Sequence, residues 1–251
     1  MLRPVKRLGQ NFLRDPNTVR KIVGSLPPGG PVVEIGPGMG ALTGLLLERD
    51  PGLTAIEVDE RAVDLLRGEF PGLDVRHQDV LETDWPALAQ ERGAPLRVIG
   101  NLPYYITTPI LFSLVDAPPG AVACAVVMMQ KEVARRIVAQ PRTKEYGILS
   151  VVLQKLTRPE LLFDVSRNVF HPRPDVTSSV VRFSFDVPAV ENPGFFRHVV
   201  RTAFNQRRKT LRNSLSGIEG DVPAQWAGLR AEALTPDDFI ALSRYLAHGH
   251  G

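Results

Sequence analysis

Residues 101–105, Asn-Leu-Pro-Tyr-Tyr, combine an amide, a rigid turn and aromatic rings directly after a short apolar run. The side-chain oxygen of Asn101 and the carbonyl of Leu102 could each accept an N–H from an amine, while Pro103 fixes the turn that aims this carbonyl. The ring of Tyr104 offers a face on which a nucleobase can stack. These residue types in this order are suited to holding the exocyclic amine of a base.

The chemistry that such a site favours is transfer to a nitrogen. An exocyclic adenine amine is a poor nucleophile because its lone pair is delocalised into the ring. Two oxygen acceptors on its N–H groups favour a pyramidal nitrogen, whose lone pair can then point at an electrophilic methyl sulfonium. No strong general base is needed, since the methylated amine can lose its proton to water.

A glycine-rich segment, Gly36-Pro37-Gly38-Met39-Gly40, follows the apolar run Val32–Ile35. Glycines at this point allow a sharp turn from a strand into a helix and a close approach to a ligand. The third glycine comes one position earlier than in the dinucleotide fingerprint. The segment therefore indicates a nucleotide-type cofactor.

Carboxylates follow the next two predicted strands. Glu57 and Asp59 come about 20 residues after the glycine turn, where an acid binds ribose hydroxyls in this architecture. We assign Glu57 to the ribose because Asp59 precedes a helix and suits an N-cap. Asp79 ends a third strand and could accept a hydrogen bond from an adenine amino group. Together these features resemble the S-adenosylmethionine-dependent methyltransferases with a Rossmann-like sheet, with NAD as the alternative cofactor.

The elements that must position these residues follow an α/β order. Val- and Ile-rich runs alternate with helical periodicity from residue 32 to about residue 185, which predicts a mainly parallel sheet with helices on both faces. Val176–Phe185 alternates with period two and predicts a terminal, antiparallel edge strand. Helical spacing then takes over, in Phe195–Phe204, Arg207–Leu215 and Pro236–Ala247.

Two domains are predicted from this change. Residues 1–187 form a catalytic domain that binds the cofactor and carries a basic N-terminal arm. Residues 188–251 form a small C-terminal helical domain.

Composition leaves the partner open, since a formal net charge of +3 over 251 residues permits an anionic partner without requiring one. Basic residues nevertheless cluster in residues 1–21, 131–144 and 197–212. Solvated surface arginines are the alternative explanation for each cluster.

The single cysteine, Cys124, excludes a disulfide within the chain and favours a reducing compartment. No apolar run approaches the roughly 18 residues of a membrane span, so we expect a cytoplasmic protein that contacts no membrane.

Six segments, spread over nearly the whole chain, resemble the small-subunit (16S-type) ribosomal RNA adenine N6,N6-dimethyltransferases. They are Lys6–Leu13 (KRLGQNFL), Val33–Gly40 (VEIGPGMG), Asn101–Tyr104 (NLPY), Gln130–Ile137 (QKEVARRI), Phe170–Val180 (FHPRPDVTSSV) and Phe204–Leu215 (FNQRRKTLRNSL). The NLPY segment is also similar to the D/N/S-P-P-Y motif of amino methyltransferases that act on nucleobases.

The resemblance implies that two adjacent adenines, in the hairpin loop near the 3′ end of small-subunit rRNA, each receive two methyl groups on N6 during late assembly. The partner would be this rRNA within a pre-ribosomal particle, and we expect a monomer without a metal ion. The resemblance implies that S-adenosylmethionine is bound by Asn11, Leu13, Gly36, Gly38, Glu57, Asp79 and Asn101. The target base, flipped out of the RNA stack, would be held by Asn101, Leu102, Pro103 and Tyr104.

A second aromatic ring is expected on the other face of the base, and Phe170 is the candidate. The alternative is that Phe170 is a core residue that anchors a proline-rich loop. The basic clusters would contact phosphates, with affinity that falls as salt rises. The residues assigned to RNA binding are Lys6, Arg7, Arg135, Arg136, Arg207, Arg208, Lys209 and Arg212.

Two other functions stay open. A large-subunit rRNA adenine N6-methyltransferase of the antibiotic-resistance type shares the fold and a related N-x-P-Y site, although Leu102 and the FNQRRKTLR segment favour the small subunit. A non-catalytic factor in ribosome assembly or transcription could keep the fold and act by docking. Intact Gly36, Glu57, Asp79 and Asn101 favour catalysis.

Overall fold

The computed structural model describes residue 5 and residues 9–247, in two compact units. The first unit holds the described residues up to Ala134 together with Glu160–Phe185, and the second holds Arg135–Pro159 and the described residues from Asp186 onward. The predicted boundary at 187/188 places residues 135–159 in the first domain. In the structure they belong to the second unit. One reason is Tyr146, which is fully buried in the second unit and donates a hydrogen bond to the Leu234 carbonyl at 2.8 Å.

A seven-stranded sheet forms the centre of the first unit in the described part of the chain, with the strand order β4-β3-β2-β5-β6-β9-β7. The strands are β2 (Val32–Ile35), β3 (Thr54–Glu57), β4 (Asp74–His77), β5 (Leu96–Asn101), β6 (Val122–Gln130), β7 (Arg158–Val165) and β9 (Ser178–Ser184). β2 to β6 run parallel and β9 pairs antiparallel with β6, which confirms the mainly parallel sheet. A separate short pair joins β1 (Phe12–Leu13) to β8 (Phe170–His171).

Val176–Phe185 was predicted to form an edge strand of the sheet, and its position at the edge was wrong. β9 lies between β6 and β7, and β7 forms the edge. Sequence reasoning missed β7 because Pro159 and several charges interrupt it and its side chains do not alternate cleanly between buried and exposed. Proline and charge are common on edge strands, where one row of backbone groups has no neighbouring strand.

Five helices belong to the first unit within the described residues, and they cover the sheet as predicted. They are α1 (Pro16–Gly24), α2 (Thr43–Arg49), α3 (Glu60–Glu69), α4 (Trp85–Arg92) and α5 (Thr107–Asp116). Local sequence explains their starts: Asp15 caps α1 through the Thr18 N–H at 2.7 Å, and Asp59 caps α3 through the Arg61 N–H. α6 (Lys131–Ile137) runs across the division between the units.

The second unit is helical. Its helices are α7 (Ile148–Leu156), α8 (Pro193–Asn205), α9 (Leu211–Ser214), α10 (Ala224–Ala227) and α11 (Pro236–Ala247). Thr235 caps α11, because its hydroxyl accepts the Asp238 N–H at 3.1 Å. The predicted helix Arg207–Leu215 was too long, since only Leu211–Ser214 is helical and residues 206–209 form a turn.

β2 and β3 are buried along their whole length, as expected for central strands covered on both faces. Two of their buried residues, Glu34 and Glu57, are acids at or near the carboxyl ends of the strands. Burial of a carboxylate costs free energy unless hydrogen bonds compensate, so acids in this position point to a ligand site. Among the helices of the described residues, none is long and apolar enough to cross a membrane.

Candidate active site

A cavity of about 320 Å³ lies in the first unit at the carboxyl ends of β2, β3, β4 and β5. Its lining comes from residues 9–13, 34–39, 41–42, 56–58, 78–80 and 101–106. The carboxyl ends of neighbouring parallel strands meet at one edge of the sheet, which is where ligands bind in open α/β folds. The glycine turn, the predicted acids and the NLPYY segment are therefore brought together, although 65 residues separate Gly36 from Asn101 in the chain.

The turn after β2 needs its glycines for different reasons. Gly36, Gly38 and Gly40 all have positive φ, at 61°, 57° and 79°. A Cβ at Gly38 would lie 3.0 Å from the ring of Phe12, and one at Gly40 would lie 2.7 Å from the ring of Phe70. A Cβ at Gly36 would meet nothing within 4 Å. The backbone at Gly36 thus borders open space in the cavity, where a ligand can approach closely.

Glu57 is 6% exposed and organises this turn. Its Oε2 accepts the Gly38 N–H at 3.0 Å, and its Oε1 accepts the N–H groups of Val58 and Asp59 at 2.9 Å each. Burial raises the pKa of Glu57 above its ordinary value, while these hydrogen bonds oppose the rise. Oε1 therefore has both of its lone pairs engaged, whereas Oε2 keeps one further lone pair with which it can accept a hydrogen bond from a ligand.

Asp59 does not compete for the same role. Its side chain is held by Arg61 and accepts the Gln10 Nε2–H at 2.8 Å. The Arg61 guanidinium lowers the pKa of Asp59 to about 2. Asp59 is therefore a cap that also fixes the segment containing Gln10.

Asp79 lines the cavity at the end of β4. Its Oδ1 accepts the Leu81 N–H at 2.9 Å. Within the described residues no hydrogen bond reaches its Oδ2. The side chain is thus held by its own backbone turn and still has an acceptor for a ligand.

The segment with Asn11 and Leu13 closes one side of the cavity. Leu13 pairs with Phe170 between β1 and β8, and Asn11 donates from Nδ2 to the Gly9 carbonyl at 3.1 Å. Both residues line the cavity, as the cofactor assignment requires. Lys6 and Arg7, which we assigned to RNA binding, lie outside the described residues.

Asn101 lies at the end of β5, and the backbone of Asn11 orients its amide. Asn101 Nδ2 donates to the Asn11 carbonyl at 3.1 Å. A carbonyl can only accept, so the amide nitrogen must face it and the Oδ1 must point elsewhere. Among the described residues, no hydrogen bond reaches this Oδ1 or the carbonyl oxygen of Leu102. Two acceptors of the predicted kind are therefore available at the cavity.

Pro103 and Tyr104 complete the segment. The Pro103 carbonyl accepts the Ile106 N–H and the Thr107 hydroxyl, which closes the turn into α5. The Tyr104 hydroxyl and the Ser178 hydroxyl are 2.7 Å apart, and Ser178 is fully buried. Burial raises the pKa of Tyr104, so the phenol stays neutral. The Tyr104 side chain is thereby held at its backbone by the turn and at its hydroxyl by Ser178.

The burial of two aromatic residues, Phe170 and Tyr105, bears on which rings can contact a base. Phe170 is 5% exposed, belongs to the hydrophobic core with Leu13 and does not line the cavity. Its assignment as the second stacking ring is therefore not supported, because a side chain packed in the core has no free face for a base. Tyr105, to which sequence reasoning gave no role, is 56% exposed and lines the cavity.

Glu34 is a cavity residue to which sequence reasoning gave no role. It is 1% exposed, and its Oε2 accepts the Thr43 hydroxyl at 2.7 Å. Burial, with a smaller contribution from the charge of Glu57, raises the pKa of Glu34 from 4.5 to about 8. At neutral pH this carboxyl is therefore mostly protonated and can donate a hydrogen bond as well as accept one.

This pKa makes stability depend on pH. Between about pH 5 and pH 8 the folded state holds a proton on Glu34 that the unfolded state has released, so the free energy of unfolding should fall as pH rises through this range. Since each pKa unit is worth about 1.4 kcal/mol, the fall should amount to a few kcal/mol. Glu34→Gln, which stays neutral, should flatten the dependence when both proteins are unfolded in urea at several pH values. Parallel pH profiles for the two proteins would contradict the assignment.

The basic residues assigned to RNA binding that the structure describes lie in the second unit. Arg135, Arg136, Arg208, Lys209 and Arg212 are exposed. Arg207 differs, because its guanidinium donates to the Tyr146 carbonyl at 3.0 Å and lies 3.8 Å from Glu232. It holds the turn after α8 in place, so its substitution would disturb more than a surface charge.

Sequence reasoning missed three residues at or next to the cavity: Gln10, Glu34 and Ser178. Gln10 bonds to Asp59, Ser178 bonds to Tyr104, and Glu34 lines the cavity and bonds to Thr43. Only Glu34 has a local signal, as an acid inside an otherwise apolar strand. Gln10 and Ser178 are ordinary polar residues until the fold places them beside their partners.

Similar sequences cover nearly the whole chain. The family model described as "Ribosomal RNA adenine dimethylase" matches residues 2–246. A protein named "Ribosomal RNA small subunit methyltransferase A" from Salinibacter ruber is 57% identical over 97% of this chain and 85% of its own length. A protein of the same name from Prosthecochloris aestuarii is 50% identical over 94% of this chain and 92% of its own length.

Solved structures give the same picture of the fold. A dimethyladenosine transferase from Plasmodium falciparum is 24% identical, with a TM-score of 0.78 over 92% of this chain and 95% of its own. The 23S rRNA methyltransferase ErmE is 28% identical, with a TM-score of 0.71 over 94% of this chain and all of its own. These likenesses confirm the predicted fold class.

Proposed function

The chain belongs to the ribosomal RNA adenine dimethylase family, and we propose that it methylates N6 of two adjacent adenines in the 3′-terminal hairpin loop of small-subunit rRNA. Family membership makes it an S-adenosylmethionine-dependent rRNA adenine dimethyltransferase. The choice of subunit, the two adenines and the loop are the finer part of the proposal.

The residues of the cavity fit S-adenosylmethionine. Gly36 leaves room for close approach, Glu57 can accept from ribose hydroxyls, and Asp79 Oδ2 can accept from the adenine amine. Asn11, Leu13, Gly38 and Asn101 complete the proposed cofactor site. When bound, this cofactor supplies an electrophilic methyl group on a positively charged sulfur.

One observation carries the proposed mechanism: Asn101 Oδ1 and the Leu102 carbonyl oxygen accept no other hydrogen bond from the described residues, and both residues line the same cavity as Tyr104. Together they can accept both N–H groups of an adenine amine and direct its lone pair toward the methyl group. Tyr104 stacks on the base, and Pro103 holds the turn. After transfer the amine proton leaves to water.

The names of the relatives support the small subunit. Proteins that are 57% and 50% identical carry a small-subunit name, whereas the likeness to the 23S rRNA methyltransferase ErmE stands at 28% identity. A large-subunit target is the second candidate because that structure covers nearly the whole chain. We further propose that a monomer acts in the cytoplasm, on a pre-ribosomal particle late in assembly, where the 3′ loop is formed and still accessible.

Methyl transfer to isolated subunits tests the proposal. The protein is incubated with labelled methyl donor and with under-methylated small or large subunits, and the label is located by digestion and sequencing of the rRNA. We expect N6,N6-dimethyladenine at two neighbouring positions near the 3′ end of small-subunit rRNA. Label in the large subunit would favour the second candidate, and the absence of label from both subunits would contradict both.

The exposed basic residues of the second unit are proposed to contact rRNA phosphates. Arg208 and Lys209 are the best test, because Arg207 has structural contacts within its own unit. Changing both to alanine should lower the slope of log K against log salt by about 2, one for each lost phosphate contact, with cofactor affinity unchanged. Binding titrations of rRNA at several salt concentrations measure this.

Arg67 and Arg167, two exposed basic residues of the first unit that lie outside the three basic clusters, provide a matched control. The double alanine variant at these positions should keep the salt slope of the unmodified protein. Equal slopes for all three proteins would contradict the assignment of Arg208 and Lys209.

A further inference from the structure

Tyr105 is an exposed aromatic residue at the mouth of the cavity, next in the chain to the proposed stacking residue. Its side chain is 56% exposed, although tyrosine is usually at least half buried in folded proteins. It lines the same cavity as Asn101 and Tyr104. The proposed mechanism of methyl transfer assigns no role to Tyr105.

The backbone at Gly9 provides a contact surface for the Tyr105 ring. It lies against Gly9, whose φ is 60° and whose Cβ, if present, would be 3.2 Å from the ring. Glycine at this position therefore satisfies both a left-handed backbone and the close approach of the ring. An aromatic ring held in this way presents a surface to a ligand with little loss of side-chain freedom.

Tyr104 and Tyr105 are anchored by different contacts. The Tyr104 hydroxyl bonds to Ser178 on β9, whereas the Tyr105 ring contacts Gly9 in the segment before β1. Each ring is therefore held by its own contact, and the contact of Tyr105 is independent of the one that fixes Tyr104.

We propose that Tyr105 stacks on the nucleotide adjacent to the flipped target adenine. This inference rests on the proposed function, since it names a second contact of the same site with the same RNA. A base that leaves the helix draws its neighbours toward the cavity mouth, where their faces become exposed. Tyr105 covers such a face and holds the strand while the target base occupies the cavity.

Stacking on a neighbour predicts an effect on substrate binding rather than on chemistry. Tyr105→Ala should raise KM for under-methylated small subunits by about 5- to 150-fold, the usual range for the loss of one base–aromatic contact. The value of kcat and the affinity for S-adenosylmethionine should not change. Tyr105→Phe and Tyr105→Trp should restore KM, because stacking uses the ring and not the hydroxyl. Tyr245→Ala, which removes an exposed tyrosine of the second unit, is the matched control.

A substrate without the neighbouring base completes the test. Small subunits are reconstituted around rRNA that carries an abasic nucleotide on either side of the target adenine. If Tyr105 stacks on that neighbour, the abasic substrate raises KM for the unmodified protein, and Tyr105→Ala causes no further rise. Independent, multiplicative effects of the two changes would overturn the inference.

Other outcomes separate this inference from the function on which it rests. A fall in kcat for Tyr105→Ala with KM unchanged would mean that the ring acts on the target base itself, and would overturn the neighbour assignment. An active protein with no Tyr105 effect would overturn it as well. Failure of the unmodified protein to methylate either subunit would contradict the proposed function instead.

Discussion

Asn101→Ala should lower kcat for methyl transfer by about 10²- to 10³-fold, which is the usual cost of removing one preorganised hydrogen-bonding group from a transition state. The Asn101 Oδ1 is aimed by the bond from Nδ2 to the Asn11 carbonyl, so no rearrangement is needed when the amine arrives. Alanine leaves the Leu102 carbonyl as the remaining acceptor. The amine nitrogen then stays closer to planar, and its lone pair is less available. Single-turnover kinetics with labelled methyl donor measure this loss.

Two further variants sharpen the result. Asn101→Asp keeps an acceptor but replaces the donor with a second oxygen facing the Asn11 carbonyl, so we expect it to be impaired as well. Asn17→Ala removes an exposed asparagine of α1 and should retain full activity. If Asn101→Ala kept the activity of the Asn17 control, the proposed placement of the target amine would be wrong.

Glu57→Ala should weaken cofactor binding by about 100-fold or more, or about 3 kcal/mol, because hydrogen bonds to a charged group are worth about 1.5 to 3 kcal/mol each. The variant removes the proposed acceptor of the ribose hydroxyls. It also leaves the N–H groups of Gly38, Val58 and Asp59 without their partner and loosens the glycine turn. Calorimetric titration with S-adenosylmethionine measures the change.

The controls separate binding from folding. Glu57→Gln keeps the shape and one oxygen, so it should bind the cofactor with intermediate affinity. Glu60→Ala removes an exposed carboxylate three residues later and should bind normally. Thermal unfolding of each variant shows whether it is folded. A folded Glu57→Ala protein with unchanged affinity would remove Glu57 from the cofactor site.

Much of the cavity could be predicted from local patterns. The glycine turn, Glu57, Asp79 and Asn101 each follow an apolar run, and parallel strands bring such positions to one edge. The roles of these residues stay predictions, but their convergence needed only the strand order. The cap at Asp59 was equally local, because an acid before a helix has few other uses.

The missed features depend on contacts between residues far apart in the chain. Ser178 lies 74 residues after Tyr104, and Gln10 lies 49 residues before Asp59. Phe170 shows the same limit, since its motif placed it near the target base whereas β8 carries it into the core. The division at 187/188 missed residues 135–159 because buried contacts such as that of Tyr146 leave no periodic pattern in the sequence.

The bond between Asn101 and the Asn11 carbonyl has a consequence for variation in this region. A main-chain oxygen is present whatever side chain occupies position 11, so point mutations there cannot delete it. Insertion or deletion of a residue between Gln10 and Leu13 would instead shift the oxygen along the chain and turn the amide away. The orientation of the Asn101 amide should therefore survive a substitution at position 11 and be lost when the length of this segment changes.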